Sequence, residues 1–139
     1  MQNAWIVDSG STRHITSVWE VFQSIVETGP GYFMETSLDQ VQRVRGIRTI
    51  LFRLEFGILL LLEGVLFVLG LRFSTFSVSA LEDEGYGILF RTCHVFLYLV
   101  GSPDNSFLLG DSRDRLYVLR GELVHSRSGG WLSETEGES

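Results

Sequence analysis

The sequence predicts an all-β domain, a small barrel with one or two short helices. Two observations carry this reading. First, roughly seven or more short apolar segments are spaced by turns rich in Gly and Asp. Second, the most apolar stretch, Ile47–Leu71, is no membrane helix: Arg48, Arg53, Glu55 and Glu63 interrupt it, and Gly57, Gly64 and Gly70 punctuate it. Its longest clean run, Phe56–Leu62, is far below the roughly 20 apolar residues that a span requires. No membrane partner is expected.

Composition bounds the rest. A chain of 139 residues suits one domain with a modest core. Its 45% apolar and 20% charged content is ordinary for a globular protein. A net charge of −6 argues against nonspecific nucleic-acid binding, which needs a basic surface. The single Cys93 rules out an internal disulfide. His14, His94 and His125 are scattered, no Cys/His cluster has zinc spacing, and no glycine-rich phosphate loop occurs. We therefore expect neither metal nor cofactor. The start has no basic-then-apolar segment like a signal peptide, and a cytoplasmic location is expected.

Trp5-Ile6-Val7 reads as a short buried strand, and Asp8-Ser9-Gly10 as the tight turn that ends it. A carboxylate is thus carried to the tip of a buried strand. Along residues 17–27, Val18, Val21, Phe22 and Ile25 recur at helical spacing, with Ser17 as cap and Glu20 three residues on. This predicts a short helix, with Trp19 in the core. Gly29-Pro30-Gly31 breaks the chain. Residues 32–46 read as a hairpin around a polar turn near Ser37–Asp39.

Next, Thr49–Leu54 is predicted to run out, Glu55-Phe56-Gly57 to turn, and Ile58–Val68 to return. Gly64 marks a bulge or tight bend. Ser77–Glu84 reads as a helix with Ser77 as cap, Val78 and Leu81 inward, and Gly85 as its stop. Tyr86–Arg91 and His94–Val100 form a strand pair, turning at or near Arg91-Thr92-Cys93. Cys93 and His94 are neighbours on a strand and point to opposite faces, so they make no nucleophile pair. Gly101–Ser106 is a loop. Phe107–Gly110 and Leu116–Leu119 are two last strands around a charged turn, Asp111–Arg115. Residues 1–120 form the domain, and 121–139 read as a disordered tail of Ser, Gly and Glu.

Three strings in register resemble the protease region of copia-type retrotransposon Pol polyproteins. The first is Trp5-Ile-Val-Asp-Ser-Gly-Ser-Thr-Arg-His-Ile-Thr16. The second is Gly64-Val-Leu-Phe-Val-Leu-Gly-Leu-Arg72 followed by Phe76-Ser-Val-Ser-Ala-Leu-Glu-Asp-Glu-Gly-Tyr86, and the third Arg115-Leu-Tyr-Val-Leu119. The resemblance covers roughly residues 5–120 and implies a retropepsin-like β-barrel with catalytic residues Asp8, Ser9 and Gly10. It makes the hairpin tip at Ser37, Leu38 and Asp39 a flap over an extended peptide. Relatives often carry Ala-Asp-Gly at that tip, and this chain has no glycine there. Leu69 stands where relatives usually have Pro, and Ser74-Thr75 replaces Asn-Leu. The second change puts polar atoms near a buried strand, which is unfavourable unless they are hydrogen-bonded.

The chemistry of that family needs two carboxylates about 3 Å apart sharing one proton. The charged one is the base that activates water, and the protonated one is the acid. This chain has one Asp-Ser-Gly. An active enzyme is therefore a symmetric homodimer, each copy giving its Asp8. Ser9 would bond across to the partner loop, and Gly10 would let the backbones approach. The implied substrate is a polypeptide such as Gag-Pol. The alternative is a catalytically inactive β-barrel remnant or interaction module of such a polyprotein.

Overall fold

A computed structural model describes residues 4–18, 24–27, 33–35 and 41–124. The first strand, β1 (Trp5–Asp8), lies inside the main sheet, parallel to β8 (Ser74–Ser77) on one side and antiparallel to β12 (Leu116–Leu119) on the other. Its apolar residues are buried without alternation because neither face meets water. The longest strands are β6 (Gly46–Leu54) and β7 (Leu59–Phe67), joined by a tight turn at Glu55–Gly57. This is the hairpin that the sequence predicts. Its bulge is at the predicted place too: Arg48 faces Val65 and Ile50 faces Leu62, so Glu63 and Gly64 together oppose Thr49. Gly64 has φ +71, the left-handed region that a bulge residue favours in glycine.

The hydrogen-bonded path runs β13-β6-β7-β2-β8-β1-β12-β11-β10-β9, where β2 is Ile15–Thr16, β9 Tyr86–Arg91, β10 His94–Leu99, β11 Ser106–Arg113 and β13 Gly121–Leu123. The sheet curls on itself. Trp5 of β1 meets Phe52 of β6 edge to face, centroids 4.9 Å apart, though three strands separate them along the path. One buried cluster takes Trp5, Phe52, Leu62, Phe76, Leu97 and Leu109 from six strands. The curl is also bridged at its surface: Arg120 pairs with Glu55 at 2.6 Å and with Asp111 at 3.4 Å. The one α-helix among the described residues, α1 (Val78–Asp83), buries Val78 and Leu81.

Three readings change. Residues 24–27 of the predicted helix are a strand, β3 (Ser24–Glu27), antiparallel to the first half of β6. An unpaired edge recruits β-branched Ile25 and Val26 more strongly than four residues of helical spacing resist. Trp19 lies outside the described residues. Residues 121–123 of the predicted tail form β13 against the second half of the same β6 edge. The charged turn is shorter than predicted: β11 continues to Arg113, and only Asp114-Arg115 turn, both at positive φ. By contrast β9 ends at Arg91 as the sequence predicts, and Thr92-Cys93 make the turn. The hairpin of residues 32–46 is present as β4 (Phe33–Glu35) against β5 (Val41–Arg43). Its tip, with Ser37, Leu38 and Asp39, lies outside the described residues.

Candidate functional site

Asp8 ends β1 opposite Ser77, the end of β8. Its side chain is half-buried, and Ser9 and Gly10 beyond it are exposed. One carboxylate oxygen, Oδ1, accepts the Gly10 N–H at 2.8 Å. This is the local bond by which Asp closes a turn on the amide two residues on. Oδ2 has no bonded partner among the described residues. A Cβ at Gly10 would stand 3.4 Å from Oδ1, ordinary contact, so within one chain space alone does not demand glycine there.

What holds the loop is the corner where β8 becomes α1. The Ser77 hydroxyl donates to the Ser11 carbonyl at 2.7 Å and accepts the Ala80 N–H at 3.0 Å, so one side chain caps the helix and pins the loop. Ser79 adds a second hydroxyl to the Ser11 carbonyl at 3.1 Å. The Ser77 N–H donates to His14 Nδ1 at 2.9 Å. His14 is only 2% exposed, and burial, then the Arg13 charge, lower its pKa to about 4. It is neutral at pH 7, as an acceptor Nδ1 requires. Its ring lies 5.5 Å from that of Phe76. Arg13 reaches over to the Gly64 carbonyl at 3.2 Å, tying the loop to the bulge in β7.

Farther along, Thr16 Oγ1 and Ser74 Oγ are 2.7 Å apart, both buried. This answers the Ser74-Thr75 substitution: the polar atom brought under the loop is hydrogen-bonded, and its burial carries no unpaired-donor penalty. Leu69 is likewise accommodated. It is 49% exposed in a turn, ahead of Gly70 at φ +86, where Pro is favoured but not required.

The structure thus assigns structural roles to His14, Thr16, Ser74 and Ser77, none of which sequence reasoning singled out for the site. The His-(apolar)-Thr spacing after Asp-Ser-Gly was the available signal: it puts His14 just before β2 and Thr16 on it. Among the described residues no group of three or more His, Cys, Asp or Glu could hold a metal ion.

An all-β barrel carrying one aspartate on a loop pinned from below is the class of protein this fold and site define. Residues 5–86, more than half of the chain, match the family described as Pol polyprotein, beta-barrel domain, and the chain belongs to that family. No curated protein and no solved structure matches it.

Proposed function

We propose that this Pol-derived barrel is one half of an aspartic endopeptidase, completed by a second copy, with a polypeptide such as Gag-Pol as substrate. The observation that carries the reading is the Asp8 carboxylate at the end of a buried strand. One oxygen is tied to Gly10, the other is unbonded, and the tip around it is exposed. In a two-fold pair of such loops, like charges about 3 Å apart share one proton and titrate as a unit. The rigid support from Ser77, Ser79 and His14 suits a group that must be held in one geometry.

The test is incubation of purified protein with a Gag-Pol fragment, with and without an aspartic-protease inhibitor, followed by mixing with Asp8→Asn. That variant removes the charge while keeping the shape. It should abolish turnover, and in excess it should pull wild-type activity well below its level alone, since mixed dimers carry half a dyad. Undiminished activity at high excess would mean a site complete within one chain and would end the dimer reading.

A second reading, a non-catalytic module of the polyprotein, is favoured by one fact: the single chain contains one Asp-Ser-Gly and so no dyad. Absence of inhibitor-sensitive cleavage at any protein concentration would select it.

A further inference from the structure

The hydrogen-bonded path is open at β9, its last strand. The β9–β10 hairpin turns through two residues, so Arg91 and His94 form a bonded pair, and bonded pairs alternate from there. The Val100 N–H donating to the Gly85 carbonyl at 2.9 Å continues that series. The amides and carbonyls of Tyr86, Ile88 and Phe90 therefore point away from β10, toward the open edge. Among the described residues they have no backbone partner.

Exposed edges with apolar side chains are templates for another strand. Natural edges are blunted by prolines, inward charges or bulges, and β9 has none of these along Tyr86–Arg91. Leu89 and Phe90 are each 40% exposed on it.

We infer that β9 is a self-association edge: two copies of this chain pair antiparallel through it, about a two-fold axis at Ile88. This register sets Tyr86 against Phe90 of the second copy, and Ile88 against Ile88. All the open groups of the three edge residues then find partners, two bonds per pair. Leu89 comes to lie beside Gly87 of the second copy, where the Tyr98 ring already covers the backbone. Phe90 lies beside Tyr86. Both exposed apolar side chains are thereby covered.

Charge selects a second copy as the occupant. β9 ends in exposed Arg91 and begins just after exposed Glu82, Asp83 and Glu84. None of these has an ion-pair partner among the described residues. Antiparallel pairing at Ile88 puts Arg91 opposite Gly85 of the second copy, the chain neighbour of its Glu84. Within one chain partial burial, then the like charge of Glu63, raises the Glu84 pKa. The two-fold axis makes the match twice.

This edge is separate from the Asp8 site. Along the hydrogen-bonded path β1 lies four strand steps in from β9. Pairing through β9 neither needs nor forms the aspartate dyad.

The test is sedimentation velocity of the full chain from about 1 μM to about 1 mM, with amide hydrogen exchange at both ends of the range. The expected result is a concentration-dependent dimer in which the amides of Tyr86, Ile88 and Phe90 gain protection. Gly87 and Leu89, already bonded to β10, should not change. Arg91→Glu alone and Glu84→Arg alone should each weaken the dimer about five- to ten-fold, and the two together should restore it. Both side chains are exposed, so the fold is spared. A monomer at every concentration overturns the inference and leaves the edge to a strand of other sequence. So does a dimer that is indifferent to both reversals, with protection gained instead at Ser9 and Gly10.

Discussion

The barrel has two unlike halves. In one, β1, β2, β7 and β8 come from distant parts of the chain and include two parallel pairings, β1 with β8 and β2 with β7. In the other, β9 to β12 follow one another as an antiparallel meander through short turns. The first half is fastened by side chains reaching over 50 or more residues: His14 to Ser77, Ser11 to Ser77, Thr16 to Ser74, Arg13 to Gly64. Across the meander the bonds are mainly backbone ladders between neighbours. The difference teaches where precision is invested. The aspartate is on the half whose geometry is over-determined, and the open edge is on the half that local sequence builds alone. Parallel strands cannot be joined by tight turns, so polar side chains do the registering that turns do elsewhere.

Acidification should strike the first half hardest. His14 has its pKa lowered in the folded state from 6.5 to about 4. The unfolded chain therefore binds this proton more readily than the folded one. The stability involved is fully present above about pH 6.5 and is lost as pH falls toward 4, on the order of 3 kcal/mol in all. Urea midpoints at pH 7, 6, 5 and 4 should fall steadily, and a variant without His14 should lose most of that slope. A flat profile for the wild type would break the claim that a neutral buried His14 registers the loop.

A smaller effect is expected from Ser77→Ala. It removes the cap of α1 and one of two hydroxyls on the Ser11 carbonyl, while the backbone bond to His14 stays. The loss should be about 1–2 kcal/mol in urea unfolding. Any peptidase activity should fall further than stability alone would give, because Asp8 loses its support. Ser79→Ala, removing the longer bond, should do less. Equal losses would show that Ser77 is not the hub.

The smallest effect belongs to the meander and has the opposite sign. Thr92 and Cys93 hold positive φ, 46° and 68°, at the β9–β10 turn. Asn and Gly suit those angles far better. Replacing Thr92-Cys93 by Asn-Gly should stabilise the chain by about 0.5–1 kcal/mol, read as a higher melting midpoint. An unchanged or lower midpoint would mean that the turn is fixed by more than its own backbone.

Much of the architecture was legible in the residues. The β6–β7 hairpin, the bulge at Gly64, the cap at Ser77 and the meander all follow from local chemistry: turn formers at ends, a hydroxyl before a helix, a glycine where φ must be positive. The turn was drawn too long at Asp111–Arg115 because the left-handed positions fell on Asp114 and Arg115, not on Gly. Asp8 was a candidate through the resemblance of the strings around it, since Asp-Ser-Gly alone reads as an ordinary turn.

By itself, then, the sequence determined the all-β class, the places where the chain reverses, and the aspartate at the tip of a buried strand, since each rests on neighbours within a few residues. Only the tertiary structure decided that Ser24–Glu27 is a strand and not a helix, that Gly121–Leu123 docks on β6, and that Ser74 is bonded to Thr16. It alone decided that His14 is a buried acceptor and not a surface base. The physical reason is the same each time. The free energy of a strand edge or of a buried polar group belongs to its partner. Here the partners stand about 20 to 70 residues away, beyond the reach of any periodicity or turn rule.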